Sequence, residues 1–572
     1  MGCGSSSQSD AQEPVVSKQS NANGIANGEA KKEQQRNGSV SIERRKSSSG
    51  TLNNNTTKGG SAKQRTMPVE EEEEEKEEEL KISTKKEVEE LLSQLEEEEL
   101  FCDPDFPPGY TALFSSSGQS DLNVTWLRPQ ELLEEGQIPE LMVDGVTRDD
   151  IKQGILGDCW FLSACAAVSQ HETSMNKVLP PNQQLSGPKY KGVVCFNFWR
   201  FGRWQSVYID DRLPCVEGQL IYGHSEEPRE FWVPLIEKAY AKLHGSYEAI
   251  EGGITMDAMV DLTGGLAERY DVNEYDPSIY QLISRAHKSG AFVTCAKKGD
   301  WRNSMKAEAN GLVPGHAYTV TDVTKIKHEM GEEKLVRLRN PWGDATEWRG
   351  SWSDNDVNWQ WVDEATKRKI QVESRDDGEF WMSFKDFCRH FQEVTICLLG
   401  PDFDGDGVLD TVGHMETVRG GWAAGVSAGG SRNNLDLFAT NPQFLLTLQE
   451  ADEFNIDTDD AECEGKCNIV ISLMQDLEQT SRRIKPKSLQ IGFAIYKTDT
   501  PNSKLPARHF RYTPDCGKNG VYINFREVSG RFELDPGHYV IIPSTFKPDS
   551  EASFMLRVFG EKKFSLTGPI PT

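Results

Sequence analysis

The chain has 572 residues and a formal net charge of −27. This length exceeds what one hydrophobic core usually holds and predicts three or four structural units. The negative charge argues against nucleic-acid binding, which needs a basic surface. The 12 cysteines are scattered and no secretory apolar segment precedes them, which indicates a reducing, cytoplasmic compartment. No apolar run in the sequence is long enough to span a bilayer.

Residues 1–95 lack apolar periodicity. They are rich in Ser, Asn, Gly, Lys and Glu, and they include an acidic run over residues 70–79 that only Lys76 interrupts. Such a composition buries too little apolar surface to offset the entropy cost of ordering the chain. We therefore predict a disordered N-terminal extension that contains a short helix over residues 85–100.

The first residues carry a lipidation pattern. Gly2 follows Met1, and Ser6 completes the pattern for N-myristoylation of Gly2, with Cys3 as a candidate for palmitoylation. One acyl chain gives marginal membrane binding, whereas two give stable anchoring. The pattern is short and also arises by chance. The hypothesis is a chain tethered by a flexible arm to the inner leaflet of a cellular membrane.

Residues 96–250 are predicted to form a mainly helical unit built around Cys159. A glycine-containing turn over residues 153–158 leads into an apolar helix pattern, so the thiol lies at a helix N-terminus. The positive end of the helix dipole favours the thiolate, which is the nucleophilic form. Gln153 can donate to a developing oxyanion together with the Cys159 backbone N–H. The alternative is a buried core cysteine.

Residues 251–400 are predicted to form a mainly β unit. His316 follows the turn Pro314-Gly315 and opens an alternating strand pattern, which delivers an imidazole to the start of a half-buried strand. A second strand pattern ends at Asn340, whose amide can accept a hydrogen bond from one imidazole nitrogen and so fix the tautomer. A thiol nucleophile needs such a base and such an orienting group.

These stretches strongly resemble the calpains, which are papain-fold cysteine proteases controlled by calcium. The resemblance spans roughly residues 95–560 and includes three ordered matches: the turn and helix start at Cys159, Pro-Gly-His-Ala-Tyr at 314–318, and Arg-Asn-Pro-Trp-Gly at 339–343. It implies an α+β papain-like two-lobe cysteine protease core, with residues 96–250 as the first lobe and 251–400 as the second.

The resemblance also implies a role for each site residue. Cys159 is expected to attack the peptide carbonyl, His316 to act as its base, Asn340 to hold the imidazole and Gln153 to stabilise the oxyanion. Trp342 is expected to shield the Asn–His contact and, without calcium, to wedge between the lobes. The alternative for Trp342 is a core aromatic residue that follows a turn.

Calcium is the cofactor that the resemblance implies, with one site in each lobe. Oxygen ligands, both carboxylate and carbonyl, are what calcium prefers. The first set matches Val143 and Gly145 as carbonyl donors with Asp150 and Glu230 as carboxylates; the second matches Glu347, Asp354, Asp377 and Glu379 as carboxylates with Arg375 as a carbonyl donor. The loop before Glu347 is one residue longer than is usual in the family, which leaves that ligand open. The alternative is a solvated acidic loop.

Residues 401–572 show short strand patterns between turns, which predict an all-β sandwich that resembles the C2-like domain of calpains. Residues 402–407 resemble the start of an EF-hand loop, but position 12 is Gly413 and not Glu, so we interpret them as an acidic linker. Nothing further resembles paired EF-hands, which predicts an atypical calpain without a penta-EF-hand domain. The acidic loop 450–464 is either a solvated loop or a calcium- or lipid-linked control element.

The sequence therefore predicts a calcium-regulated cytoplasmic cysteine endopeptidase that makes limited cuts in protein substrates. The resemblance implies a preference for an aliphatic residue two positions before the cut. The alternative is a catalytically silent, membrane-tethered scaffold that binds lipids or partners through the C2-like domain. Transglutaminase-like acyl transfer ranks third, because the orienting residue is Asn340 and not an aspartate. Without a recognisable dimerisation domain, a monomer is expected.

Overall fold

The computed structural model describes residues 80–115, 123–272, 275–300, 306–410, 412–453, 464–477, 486–501 and 503–571. The predicted lipidation residues Gly2 and Cys3 lie outside these ranges, as does most of the acidic loop 450–464. No helix in the described ranges combines the length and apolar character needed to cross a bilayer.

The described chain begins with a segment attached to the first lobe. Helix α1 (Lys85–Gln94) begins with a capping box, in which Glu87 N–H donates to the Thr84 hydroxyl and Thr84 N–H donates to the Glu87 carboxylate. Just before it, Ser83 N–H donates to the Asp105 carboxylate at 2.9 Å. The helix ends six residues earlier than residue 100, where the sequence predicted its end, and residues 80–95 are structured within the range predicted as extension.

The first lobe surrounds two buried helices. Its elements are α2 (Tyr110–Leu113), β1 (Thr125–Leu127), β2 (Ile151–Lys152), α3 (Cys159–Ser169), α4 (Glu172–Val178), β3 (Val193–Arg200), β4 (Arg203–Asp210), β5 (Leu213–Val216), β6 (Gln219–Leu220), β7 (His224–Ser225), α5 (Trp232–His244) and α6 (Thr255–Thr263). Every residue of α3 is buried, because the helix is almost entirely small or apolar. Helix α6 shares this core, so the first hydrophobic cluster extends beyond residue 250.

A buried ion pair at the centre of the first lobe gives a stability prediction. The Lys242 ammonium donates to both Asp103 carboxylate oxygens, at 2.9 and 2.8 Å, and to the Tyr208 carbonyl at 2.8 Å. Breaking a buried pair from one side leaves an uncompensated charge, so Lys242→Met should lower the free energy of unfolding by about 3–5 kcal/mol. Urea denaturation checks this, with exposed Lys189→Met as the control. A loss below about 1 kcal/mol, the size of an ordinary substitution, would contradict it.

The second lobe is a six-stranded antiparallel sheet with flanking helices. Its elements are β8 (Leu266–Asp271), α7 (Pro277–Lys288), β9 (Phe292–Lys297), β10 (His316–His328), β11 (Gly331–Arg339), α8 (Glu364–Lys369), β12 (Glu379–Ser383), α9 (Phe384–His390) and β13 (Glu393–Leu398). The strand order is β12-β11-β10-β9-β13-β8. Because Thr319 of β10 pairs with Arg339 of β11, the start of β10 lies beside the residue that follows β11. This register brings His316 close to Asn340.

Residues 414–567 form a sandwich of two sheets. Its elements are β14 (His414–Trp422), α10 (Leu435–Phe438), β15 (Phe444–Leu448), β16 (Cys467–Gln475), β17 (Ile491–Lys497), α11 (Ala507–Tyr512), β18 (Gly517–Lys518), β19 (Glu527–Leu534), β20 (Gly537–Thr545), β21 (Ala552–Gly560) and β22 (Phe564–Thr567). The sheet orders are β14-β21-β16-β19 and β18-β17-β20-β15-β22. The core lies between these two sheets.

Strand β16 is one of several strands of the sandwich that are buried on both faces. The burial of β16 is nearly continuous instead of alternating. Its outer face packs on the protease lobes: Met474 belongs to one buried apolar cluster with Val260, and Val470 to another with Leu266. Polar contacts reinforce this interface, because Arg526 donates to the Asp261 carboxylate at 2.7 Å. The sandwich therefore packs directly against both lobes.

Candidate active site

Cys159 lies on the first-lobe wall of a cleft of about 340 Å³, and His316 lies on the second-lobe wall. The thiol is the first residue of α3, as the sequence predicted. The preceding turn needs glycine, since a Cβ on Gly154 would lie 2.4 Å from the Ile221 and Tyr222 carbonyl oxygens. Gly253 opposite is equally confined, because its Cβ would lie 2.3 Å from the Trp160 ring.

His316 and Asn340 form a buried pair. The imidazole Nε2 and the Asn340 Oδ1 are 2.8 Å apart. The Asn340 amide is oriented by two further bonds: Trp342 N–H donates to Oδ1 at 3.1 Å, and Nδ2 donates to the Thr346 carbonyl at 2.9 Å. Since Oδ1 is an acceptor, Nε2 carries the proton, and Nδ1 of the neutral ring is left as the proton acceptor.

Trp342 packs on the imidazole. The ring centroids of Trp342 and His316 are 5.3 Å apart with an interplanar angle of 58°, and Trp342 is partly buried. Tyr318 meets the same imidazole edge-on at 5.1 Å. The His316–Asn340 bond is therefore enclosed by aromatic rings, which exclude water from it and strengthen it.

The thiol and the imidazole are not paired in this conformation. Both residues are described, and no hydrogen bond joins Cys159 Sγ to His316; Sγ lies near the Ala317 backbone instead. Burial raises the pKa of the Cys159 thiol to about 12, with the charge of Asp158 adding to the effect, and burial lowers the pKa of His316 to about 4. The thiol and the imidazole are therefore both neutral.

The predicted thiolate is thus wrong for this conformation, because the cost of burying the charge exceeds the stabilisation from the helix dipole. A helix N-terminus stabilises an anion by about 0.3–1 kcal/mol, up to ~2 kcal/mol when partly buried. A thiol pKa raised from 9.0 to about 12 corresponds to roughly 4 kcal/mol against the charged form. Burial of Cys159, which is 7% exposed, therefore outweighs the dipole until a cationic partner arrives.

Gln153 does not reach into the cleft. Its side-chain amide donates to the Leu156 carbonyl at 2.6 Å, within its own loop, and its Oε1 is buried without a partner. Its backbone N–H donates to the Pro341 carbonyl at 2.8 Å, which links the two lobes. The structure therefore brings together His316, Asn340 and Trp342. The Gln153 amide instead bonds within its own turn and does not face the cleft.

The first predicted calcium set surrounds a buried glutamate. Glu230 Oε1 accepts from Val143 N–H at 2.8 Å, while its Oε2 is buried and has no hydrogen-bond donor. Burial raises the pKa of Glu230 to about 7, and the charge of Asp150 adds to it. Asp150 accepts from Thr147 N–H at 2.7 Å, and Gly145 has φ +97°. A carboxylate oxygen with no donor beside a second carboxylate fits a cation such as calcium.

The acids of the second predicted calcium set lie around the loop 373–379. Glu347, which loop length had left open, accepts from Gly378 N–H at 2.8 Å, and burial raises its pKa to about 8 with contributions from Asp354 and Asp377. Burial likewise raises the pKa of Asp354 to about 6. Arg375 N–H donates to the Asp354 carboxylate at 3.4 Å. Two acids whose pKa is raised by burial and by neighbouring carboxylates fit a bound cation.

Glu379 differs from the other predicted ligands. Its carboxylate pairs with Arg337 and, at 3.2 Å, with Arg148 of the first lobe. The sequence showed no signal for Arg148, because a lone arginine in a loop carries no pattern. This ion pair connects the lobes at the edge of the second set.

The carboxylates of the acidic linker lie closer together than those of the second predicted calcium set. Within the described ranges, the group of three acids with oxygens all within 4.8 Å is Asp402, Asp404 and Asp410. Glu347, Asp354 and Asp377 do not reach this spacing. The Asp402 carboxylate accepts from Gly405 and Gly407 N–H and pairs with Arg531 at 3.1 Å. Its charge is therefore already compensated by the turn and the sandwich.

The cleft also has walls that sequence reasoning missed. Phe525 of the sandwich lines it, with the Arg269 guanidinium 4.9 Å from the ring centroid. Arg269 in turn pairs with Glu393 at 3.2 Å. A contact between residues so distant in sequence leaves no local pattern.

A cysteine at the start of a buried helix, facing a His–Asn pair at the ends of two neighbouring antiparallel strands, defines a papain-like cysteine protease core with an appended β domain. The profile described as "Calpain family cysteine protease" matches residues 101–398, and that described as "Calpain large subunit, domain III" matches residues 418–559. The chain belongs to the calpain family.

Curated relatives agree with this assignment. The chain is 42% identical over 475 residues to Calpain-B of Drosophila melanogaster, which covers 81% of the chain and 50% of that protein. It is 42% identical over 469 residues to Calpain-9 of Homo sapiens, covering 81% and 65% respectively. For the Calpain-2 catalytic subunit of Gallus gallus, identity is 40% over 480 residues, covering 82% and 67%. The matched region thus spans about half to two thirds of these relatives.

Proposed function

We propose that this protein is a calcium-regulated cysteine endopeptidase that makes limited cuts in cytoplasmic proteins. The observation that supports this most is the His316–Asn340 bond of 2.8 Å at one wall of a cleft whose other wall carries Cys159. Family membership adds that relatives with the same core are named as calpains. The aliphatic preference two positions before the cut belongs to the same proposal.

The proposed reaction has two halves, the formation of a thioester at Cys159 and its hydrolysis. His316 Nδ1 takes the Cys159 proton, and the thiolate attacks the peptide carbonyl carbon. The Gln153 amide and the Cys159 N–H donate to the oxyanion. The imidazolium then protonates the leaving amine, and His316 finally deprotonates the water that hydrolyses the thioester. Asn340 holds the ring so that Nδ1 faces the sulfur throughout.

The conformation described here precedes that reaction. Cys159 is not hydrogen-bonded to His316, and Gln153 donates to Leu156 instead of facing the cleft. Activation therefore requires the two lobes to shift relative to each other and the Gln153 amide to turn. We assign Trp342, which packs on the imidazole, the role of gating this shift.

Calcium fits the acids in both lobes. In the first lobe Asp150 and Glu230 would hold it with the Val143 and Gly145 carbonyls. In the second, Glu347, Asp354, Asp377 and Glu379 would hold it with the Arg375 carbonyl. When bound, the ion would neutralise carboxylates that otherwise repel one another and order the loops that carry them.

Casein digestion by the purified full chain tests the proposal. We expect cleavage that requires calcium in the wild type and no cleavage by Cys159→Ala at any calcium concentration. Equally little digestion by both proteins across the calcium range would support the alternative, a silent scaffold that binds lipids or partners through the C2-like domain.

The location and assembly of the enzyme are parts of the same proposal. Acylation of Gly2 and Cys3 would tether it to the inner leaflet of a membrane, and we expect a monomer. Metabolic labelling with a myristate analogue tests the tether. Absence of label from wild type, with Gly2→Ala as the blank, would remove this part while leaving the protease proposal intact.

A further inference from the structure

The sandwich supplies a third wall of the catalytic cleft through the side chain of Phe525. This residue lines the same cleft as Cys159 and His316, is half-buried, and precedes strand β19 by two residues. Part of the ring packs against the core of the sandwich, and the rest faces the cleft. The proposed reaction gives this aromatic side chain no role, although it lies where a bound polypeptide has to pass.

Contacts with both protease lobes hold Phe525 at this position. In the second lobe, the Arg269 guanidinium lies 4.9 Å from the ring centroid, a distance at which cation–π attraction operates. The next residue of the sandwich, Arg526, donates to the Asp261 carboxylate and to the Asp257 carbonyl of α6, each at 2.7 Å. The ring is therefore a fixed part of the cleft wall.

A second groove, of about 320 Å³, adjoins the cleft at Phe525. Arg269 and Phe525 line both cavities, which places the two side by side. The second groove lies between β8, the edge strand of the second lobe's sheet, and residues 519–531 of the sandwich. Its apolar lining includes the partly buried Ile523 and the exposed Val521. An extended polypeptide that crosses the cleft therefore has a path that continues along the sandwich.

The charged side chains along this path already have partners of opposite charge. The lysine and arginine side chains of the cleft wall each pair with a carboxylate: Arg269 with Glu393 at 3.2 Å, Lys297 with Glu308 at 3.3 Å and Lys298 with Asp271 at 3.5 Å. In the second groove, Arg531 pairs with Glu268 at 2.7 Å. A charged substrate residue would lose water here without gaining an unpaired partner. The path therefore favours apolar substrate side chains.

We propose that Phe525 is a specificity-determining residue, which contacts the substrate chain away from the scissile bond and selects an apolar side chain there. This rests on the proposed function of the cleft as the endopeptidase site. The substrate side chain packs on the exposed part of the Phe525 ring, and burial of apolar surface provides the selectivity. The sandwich thus takes part in substrate recognition, with the second groove as the path of the bound polypeptide.

Peptide cleavage by Phe525→Ala at saturating calcium tests the proposal. The substrates are long peptides of equal length that share one cut site and carry leucine or aspartate at each position in turn. At a position other than the one two residues before the cut, we expect the wild type to prefer leucine about tenfold or more in kcat/KM, and Phe525→Ala to reduce this preference to about threefold or less. The change should lie in KM with kcat nearly unchanged, because the contact exists both before and during the reaction.

Two controls separate recognition from folding. A short peptide that contains only the residues next to the cut should be cleaved equally by the wild type and by Phe525→Ala. Phe546→Ala removes an exposed sandwich ring that lies outside both cavities, and it should keep the wild-type preferences. Unchanged preferences at every position in Phe525→Ala overturn the proposal, and so does an equal loss of activity on short and long peptides.

Photochemical crosslinking tests the same contact without turnover. The full chain carries Cys159→Ala to prevent cleavage and a photoreactive benzophenone side chain at position 525, or at position 546 as the control. With calcium and the long leucine peptides of the cleavage series, we expect crosslinked peptide at position 525 well above the yield at position 546. Equal yields at the two positions overturn the proposal. Absence of any peptide cleavage by the wild type would instead contradict the proposed function, so the two failures are distinguishable.

Discussion

Replacing His316 by alanine is expected to lower kcat/KM for a calcium-activated peptide cleavage by at least about 10³-fold. General acid–base catalysis contributes about 10²–10⁴-fold on its own, and here the same imidazole must also supply the cation that stabilises the thiolate. The buried thiol has its pKa raised to about 12. Without an imidazolium partner, almost none of it is ionised at neutral pH.

The comparison that isolates the imidazole uses two further variants. Asn340→Ala should lower kcat more moderately, because the ring remains but loses the acceptor that holds it at 2.8 Å. His538→Ala removes a sandwich histidine that contacts Thr447 at 3.0 Å, and it should leave kcat/KM unchanged. Steady-state kinetics at saturating calcium measure all three. A His316→Ala enzyme within tenfold of wild type would assign the base to another residue.

The pH dependence of Cys159 alkylation should depend on the charge state of His316. In the described conformation burial lowers the pKa of His316 to about 4, so the ring is neutral at neutral pH. A thiolate brought into contact would favour the imidazolium and raise this pKa. We therefore expect iodoacetamide to alkylate Cys159 at lower pH when calcium is present than when it is chelated, and His316→Ala should remove this difference.

Local sequence signals were sufficient for the parts of the site that lie on single elements. The helix that starts at Cys159 follows from a glycine turn before an apolar run. The meeting of His316 and Asn340 follows from two strand patterns, because an antiparallel register places the start of β10 beside the end of β11. The apolar run over residues 444–448 forms strand β15.

Features that depend on packing between distant segments were not predictable in this way. The separation of Cys159 from His316 depends on how the lobes meet, which contacts such as Gln153 N–H to Pro341 determine. Burial of the thiol reversed the charge state that its helix position favours. The continuous burial of β16 arises because the lobes cover its outer face.

Calcium activation should depend on Glu230 and Glu347 in particular. Glutamine keeps the volume of each side chain and can still accept the N–H of Val143 or Gly378 that each carboxylate now accepts at 2.8 Å. It removes the anionic oxygen that a divalent cation needs. We expect Glu230→Gln and Glu347→Gln each to raise the half-activating calcium concentration at least about tenfold, since even the groups that only orient metal ligands are worth about 10–100-fold in affinity.

A matched control lies on the loop 373–379, whose Gly378 N–H donates to Glu347. Glu373 is exposed and its carboxylate pairs with the Arg375 side chain, so Glu373→Gln changes the loop charge without removing a proposed ligand. Its half-activating calcium concentration should stay close to that of the wild type. If Glu373→Gln raised the half-activating calcium concentration as much as Glu347→Gln, general acidity around the loop and not specific ligation would explain the calcium dependence.

The calcium-free protein gives an independent measure with a defined sign. Burial and neighbouring acids raise the pKa of Glu347 to about 8, from an unfolded value near 4.5. Between these values the folded chain retains a proton that the unfolded chain has lost, so stability falls as pH rises from 4.5 to 8. Glu347→Gln should flatten this fall, and thermal unfolding in chelator at pH 5 and pH 8 measures it. A variant that weakens calcium activation while stabilising the calcium-free fold at pH 8 marks a residue held in place for the metal. A variant that weakens both has only damaged the lobe.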